Sequence, residues 1–108
     1  LPKNWNLYMK TLSIIILSYN VKKLLLDCLS SIPKHKDWKV IIVDNASTDG
    51  SAELATIKNK TNTGFAAGNN IGIRKSSSPY VLLLNPDTVV YPNTIETLVN
   101  EAKNHSDK

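Results

Sequence analysis

The sequence predicts an α/β chain built on a parallel sheet with flanking helices. Three observations carry this: apolar, largely β-branched runs at Leu12 to Leu17, Val40 to Val43 and Val81 to Leu84; helical apolar spacing between and after them; and polar turn residues gathered just beyond each run. Runs apolar at every position suit strands covered on both faces. Their alternation with helices calls for crossover connections, which make neighbouring strands parallel.

Taken in order, Leu12 to Leu17 is the first strand. Asn20 then stands as an N-cap, and Val21, Leu24, Leu25, Cys28, Leu29 and Ile32 fall on one helical face before Pro33 forbids continuation. Val40 to Val43 is the second strand. It runs into Asp44-Asn-Ala-Ser-Thr-Asp-Gly50, a turn cluster from which a short helix over about 51–57 can start. Gly64, Gly68 and Gly72 recur every four residues, so a helix there would present one flat face. Each glycine costs roughly 1 kcal/mol against alanine in a helix interior, so the helix must gain from a close neighbour. Val81 to Leu84 is the third clear strand, followed by Asn85-Pro-Asp-Thr88. A last helix places Ile95, Leu98, Val99 and Ala102 on one face.

Length and composition bound the function. A chain of 108 residues is one domain or less, and 42% hydrophobic with 20% charged residues is the composition of a folded chain rather than a disordered one. No apolar run approaches the roughly 20 residues of a membrane-spanning helix. The single Cys28 forms no internal disulfide, so a reducing cytoplasm is the default expectation. The formal charge of +4 comes largely from scattered lysines, with Arg74 the single arginine, which argues against nucleic acid as a partner.

In a parallel α/β sheet, ligands bind beyond the carboxyl ends of the strands, near a switch in strand order. The residues there are Ser18, Tyr19 and Asn20 after the first strand, Asp44 and Asn45 after the second, and Asn85 and Asp87 after the third. Carboxylates beside an aromatic ring and several amides suit a ligand with a flat base, hydroxyls, and phosphates held through a divalent cation. Asp87 is a hard oxygen ligand of the kind Mg2+ or Mn2+ takes alongside substrate phosphates. Each feature alone also has a plain structural reading. Asp44, Ser47 and Asp49 could end a strand and cap a helix, Asn85-Pro-Asp-Thr88 could be an ordinary turn, and the glycine face matches no phosphate-loop pattern.

The four segments together carry more. Ser13-Ile-Ile-Ile-Leu-Ser-Tyr-Asn20, Val43-Asp-Asn-Ala-Ser-Thr-Asp-Gly-Ser51, Asn62-Thr-Gly-Phe-Ala-Ala-Gly-Asn-Asn-Ile-Gly72 and Leu83-Leu-Asn-Pro-Asp-Thr88, in this order, resemble the N-terminal half of family 2 glycosyltransferases, especially the rhamnosyltransferase-like branch. The likeness runs from about Met9 to Ala102. It implies a Rossmann-like parallel sheet with flanking helices, the N-terminal part of a GT-A fold, and a nucleotide-diphosphate sugar as donor. It further implies that Leu17, Ser18, Tyr19 and Asn20 line the nucleotide pocket, with Tyr19 against the base. Asp44 would bond the base or ribose, Asn45 would support that turn, and Asn69 and Asn70 would face the nucleotide and diphosphate. Asn85-Pro-Asp87 corresponds to the family's D-x-D motif, with Asp87 on a divalent metal, Mg2+ or Mn2+, and the neutral Asn85 in place of the first aspartate.

Two departures accompany the resemblance. Only 11 residues, 51–61, separate the Asp44 turn from the Asn62-Thr-Gly-Phe motif, so the strand that relatives place there is expected to be shortened or absent. The family's catalytic base and acceptor site lie downstream of the D-x-D strand. Residues 9–108 are therefore expected to be the donor-binding portion, truncated before the acceptor half and inactive by itself, while residues 1–8, ahead of Met9 and the first strand, are expected to be an extension or linker. The acceptor, a saccharide or lipid-linked glycan, would belong to the full-length enzyme, at the cytoplasm or the inner face of a membrane that it contacts peripherally. The rival expectation is a stand-alone nucleotide or nucleotide-sugar binding module without transferase activity.

Overall fold

The computed structural model describes residues 10–105, so the expected extension at 1–8 lies outside the described residues. The order is β1 (Leu12–Ser18), α1 (Lys22–Ser31), β2 (Trp38–Asp44), a 3-10 turn (Ser51–Leu54), β3 (Ile57–Lys58), α2 (Phe65–Lys75), β4 (Tyr80–Leu83) and α3 (Thr94–Asn104). The strands form one sheet in the order β3-β2-β1-β4, every neighbouring pair parallel. The chain moves outward from β1 through β2 to β3, then returns to the other side of β1. That reversal is the switch point at which such sheets open a crevice.

The apolar strands divide the core in two. On one face Leu12, Ile14, Ile16 and Ile42 pack with Leu25 and Cys28 of α1 and with Ile95 and Val99 of α3. On the other, Ile15, Ile41 and Val43 pack with Leu17, Ile57 and Ile71 beneath α2. The helix that covers this second face comes very close. A Cβ on Gly72 would stand 2.5 Å from Ile15 Cγ2, and one on Gly68 2.5 Å from Leu17 Cδ1. Gly64 is not part of that face. It precedes α2 with φ +85, a left-handed conformation that side chains resist.

Several expectations are corrected. Asn20 does not cap α1: it has φ 51, Val21 occupies the position before the helix, and the helix starts at Lys22. The predicted short helix over 51–57 is a single 3-10 turn, followed by the abbreviated two-residue strand β3. Leu24 and Leu98, placed on buried helical faces by their spacing, are 45% and 50% exposed. Ala102 is exposed as well, and with Leu98 it borders an apolar groove against Tyr80 to Leu82. The third clear strand is half-buried on one face and exposed on the other. Val81 and Leu83 point to the α2 side, where the helix covers β1 and β2 but not β4, the edge strand. No helix among the described residues is long and apolar enough to cross a membrane.

The glycine contacts make a test of packing. Ile15 Cγ2 is a branched methyl of a fully buried side chain and cannot swing away, whereas the methyls of Leu17 end a longer, half-buried one. Overpacking costs about 1–3 kcal/mol and the helix propensity gained is about 1 kcal/mol. Gly72→Ala is therefore expected to lower stability by roughly 1 kcal/mol, and Gly68→Ala by less. Urea denaturation of both variants measures the order, and a reversed order contradicts the close approach at Gly72.

Candidate functional site

Because β1 and β2 are parallel and in register, Ser18 and Asp44 lie side by side at the carboxyl end of the sheet. Leu84 N still donates to Ile15 O at 2.9 Å, so the Asn85 to Asp87 turn leaves β4 at that same end. The polar residues predicted after three strands are thus brought to one edge of the sheet.

The connections after β1 and β2 hold each other. Asn20 N donates to Ser47 Oγ at 2.9 Å, and Asn20 Oδ1 accepts from Thr48 N at 2.7 Å. One carboxylate oxygen of Asp49 accepts from Lys22 N at 3.0 Å, serving the first residue of α1. The other accepts from Ser51 N and Ser51 Oγ, fixing the 3-10 turn. Positive φ values at Asn20, Ala46 and Gly50 allow these tight reversals. Sequence reasoning missed this clasp. The density of Ser, Thr and Asp over 47–51 signals capping, but which helix is capped depends on the tertiary pairing of two loops.

Beneath the clasp, Ser18 is fully buried and Asp44 is 1% exposed. Asp44 Oδ2 accepts from Ser47 N at 2.9 Å, yet Asp44 Oδ1 and Ser18 Oγ have no partner within the protein. A buried acceptor left unpaired costs about 1–3 kcal/mol, more if charged, so this pair is suited to receive an N–H or O–H from outside the fold. Tyr19, directly after Ser18 in the first of the two loops, keeps 48% of its surface exposed. Glu96 Oε1 is also unpartnered, but it lines a separate cleft with Thr11, His35 and Trp38. Trp38 and Thr11 belong to the opposite, amino end of the strands.

Asn45 is 2% exposed and bonded wholly within the fold: its amide nitrogen donates to Gly64 O at 3.1 Å, and its oxygen accepts from Asn59 and Thr63. On α2, Asn69 is buried and returns its amide to Phe65 O at 3.1 Å, while Asn70 is exposed. Asn85 and Asp87 are exposed on a turn closed by Thr88 N to Asn85 O at 3.1 Å, with Pro86 presetting the bend. The ordinary-turn reading describes this segment, and the side chains of Asn85 and Asp87 stand exposed on it. Behind it, Cys28 Sγ donates to Asn85 O at 3.8 Å. Burial pushes the Cys28 thiol up, with a further push from the nearby Asp87 charge. A separate cleft of about 450 Å³, lined by Leu29, Ile32, His35 and Trp38, lies at the amino end of β2, away from these residues.

The clasp has a pH signature. The hydrogen bonds from Ser51, and then that from Lys22 N, hold the Asp49 carboxyl below its ordinary 3.8. A depressed folded-state value contributes stability that is complete above the unfolded value and is lost as pH falls through the folded one. Asp49→Asn is expected to flatten the loss of urea resistance as pH drops below 3.8. A variant with the same acid slope as the unsubstituted chain removes Asp49 from the clasp.

Comparison with known proteins places this arrangement. The model of "Glycosyl transferase family 2" matches residues 13–108. Glycosyltransferase GlyG of Streptococcus pneumoniae serotype 4 is 28% identical over 105 residues, covering 85% of this chain and 35% of that protein. The structure of S. aureus TarS superposes with a TM-score of 0.77 at 23% identity, over 91% of this chain and 33% of that one, a likeness of fold. The mannosyltransferase PcManGT of Pyrobaculum calidifontis, solved in complex with GDP-Man and Mn2+, gives a TM-score of 0.68 at 27% identity, again over 91% and 33%. The chain spans about a third of the length of each. It belongs to glycosyltransferase family 2, and its parallel sheet with flanking helices is that of the GT-A fold.

Proposed function

We propose that this chain is the donor-binding part of a glycosyltransferase, holding a nucleotide-diphosphate sugar with a divalent cation for transfer to a saccharide or other hydroxyl acceptor. The observation that carries the reading is the buried, unpartnered pair of Asp44 Oδ1 and Ser18 Oγ at the carboxyl end of adjacent strands. A base N–H or a ribose hydroxyl is a donor of the right kind for an acceptor-only carboxylate. Tyr19 supplies a stacking face beside them. Leu17 packs under Gly68 on the α2 face of the sheet, and Asn20 shapes the strand-end loop through the clasp.

The donor set also fits a cation that arrives with phosphates. Among the described residues no group of three or more His, Cys, Asp or Glu could hold a metal ion by itself. Mg2+ and Mn2+ bind through one or two carboxylates plus substrate phosphates, and Asp87 with the Asn85 side chain on an exposed turn offers such a partial set. Bound there, the cation neutralises charge on the diphosphate leaving group. PcManGT, with its GDP-Man and Mn2+, supports this reading. Transfer also requires a base within hydrogen-bond reach of the acceptor hydroxyl. We place the base and the acceptor pocket in the portion of the relatives that this chain does not span.

Calorimetry with UDP and GDP, with Mn2+ and with chelator, tests the reading. Binding is expected only with the metal, and Asp87→Ala is expected to abolish the metal-dependent part. Asp44→Asn, which can turn an N–H toward the base donor, is expected to weaken binding about tenfold to a hundredfold, the worth of a charge-assisted bond of roughly 1.5–3 kcal/mol. Binding undiminished by chelator removes the metal role, and equal affinity in Asp44→Asn leaves Asp44 a turn residue.

A further inference from the structure

We infer that Asn45 is a positioning residue for the donor site, acting through α2 without touching the donor; the inference rests on the donor reading above. Its side chain is 2% exposed and joins three segments. The amide oxygen accepts from Asn59 Nδ2 at 3.0 Å, just after β3, and from Thr63 N and Thr63 Oγ1 at 3.1 and 3.0 Å. The amide nitrogen donates to Gly64 O at 3.1 Å. That carbonyl also accepts from Gly68 N at 3.1 Å, the bond closing the first turn of α2. Asn45 N donates to Ser18 O at 2.9 Å, so the residue extends the β1–β2 ladder one step beyond the Ser18 and Asp44 pair.

One amide thus fixes how far the start of α2, with Asn69 and Asn70 on it, stands from the strand ends that carry Ser18 and Asp44. Gly68 makes room for it: a Cβ there would stand 3.2 Å from Asn45 Nδ2. The chemistry selects asparagine over aspartate. A carboxylate would keep the bonds from Asn59 and Thr63 but would set a negative oxygen against the Gly64 carbonyl, where the amide donates.

The test is calorimetry with UDP and GDP, each with Mn2+, on the 108-residue chain and its variants at a temperature where all are folded by circular dichroism. Asn45→Ala is expected to bind roughly tenfold more weakly or worse, having lost several buried hydrogen bonds. Asn45→Asp is expected to fall between, and to recover affinity relative to the unsubstituted chain as pH is lowered, because a protonated carboxyl donates to Gly64 O. Ser76→Ala is the control for a purely structural effect. It removes the first hydroxyl of the Ser76–Ser13–Ser78 chain at the far end of α2 and is expected to lower stability without changing affinity. If Asn45→Ala does not fold, Asn59→Ala, which removes one bond to the same oxygen, carries the comparison. Should the unsubstituted chain bind neither nucleotide, the donor reading fails, and the positioning role with it. Normal binding by the unsubstituted chain and by the Asn45 variants alike overturns the positioning role alone.

Discussion

The close approach of α2 to the sheet is the contact on which the candidate site depends. Helices usually stand off a sheet by the length of their side chains, but Gly68 and Gly72 let the backbone of α2 settle onto Leu17, Ile15 and Val43. Two interior glycines forgo about 2 kcal/mol of helix propensity, and the helix forms because that cost is offset by dense packing against Ile15, Leu17 and Val43. The consequence for the site is positional. Only at this distance does the Asn45 amide reach Gly64 O, and only then does the first turn of α2 stand beside the ends of β1 and β2.

At those ends the chemistry of the sheet changes abruptly. Up to Leu17 and Val43 the strands carry branched aliphatics, and the next register pair is Ser18 and Asp44, both buried and both with an unused hydrogen-bonding oxygen. For stability alone, an aliphatic pair would serve better at this position, since unpaired buried polar groups are destabilising. The fold tolerates the pair because the surrounding loops are locked independently. Asn20 with Thr48, Asn20 with Ser47, and Asp49 with Lys22 hold the two connections together without using Asp44 Oδ1. The frame is satisfied and the central acceptor is not, which under the proposed reading leaves the pair ready for a ligand before it arrives.

The periodic signals carried most of the fold. β-branched runs located β1 and β2, the glycine spacing located α2 and the side by which it packs, and of the two outcomes expected after Asp44, a strand shortened or absent, the structure has the shortened one, Ile57–Lys58. What periodicity could not carry was coverage. Leu24 and Leu98 have the right spacing for burial and are exposed, and Val81 and Leu83 are exposed because α2 covers β1 and β2 but not β4. Cross-loop chemistry was hidden for a different reason. Asn20 is a good N-cap by residue type, and it accepts from Thr48 N instead, because the partner loop lies 28 residues away and arrives only when β1 and β2 pair. Capping propensity is local and this clasp is not. The residues assigned to the site from the order of motifs do converge on one end of the sheet. The distinction between those with free hydrogen-bonding capacity, such as Asp44, and those already spent on the fold, such as Asn45, needed coordinates.

The chain's single arginine is not at that end. Arg74 sits in the last turn of α2, at the opposite end of the helix from Gly64. Under the proposed reading, a cation on the turn after β4, where Asp87 stands beside the neutral Asn85, would help neutralise the diphosphate. Under the proposed reading the neutrality of Asn85 has a use. Two carboxylates would cancel the formal charge of a divalent cation, whereas one leaves a net positive charge facing the phosphates. The same turn is braced from behind by Cys28 Sγ on Asn85 O, and by Ser31 Oγ, which donates to Cys28 O and accepts from Val90 N. These bonds tie both flanks of the Asp87 turn to α1, which Asp49 in turn fixes to the loop after Asp44. The carboxylate suited to the cation and the carboxylate suited to the base are thereby joined through one helix, so their separation is set by the fold and not by the ligand.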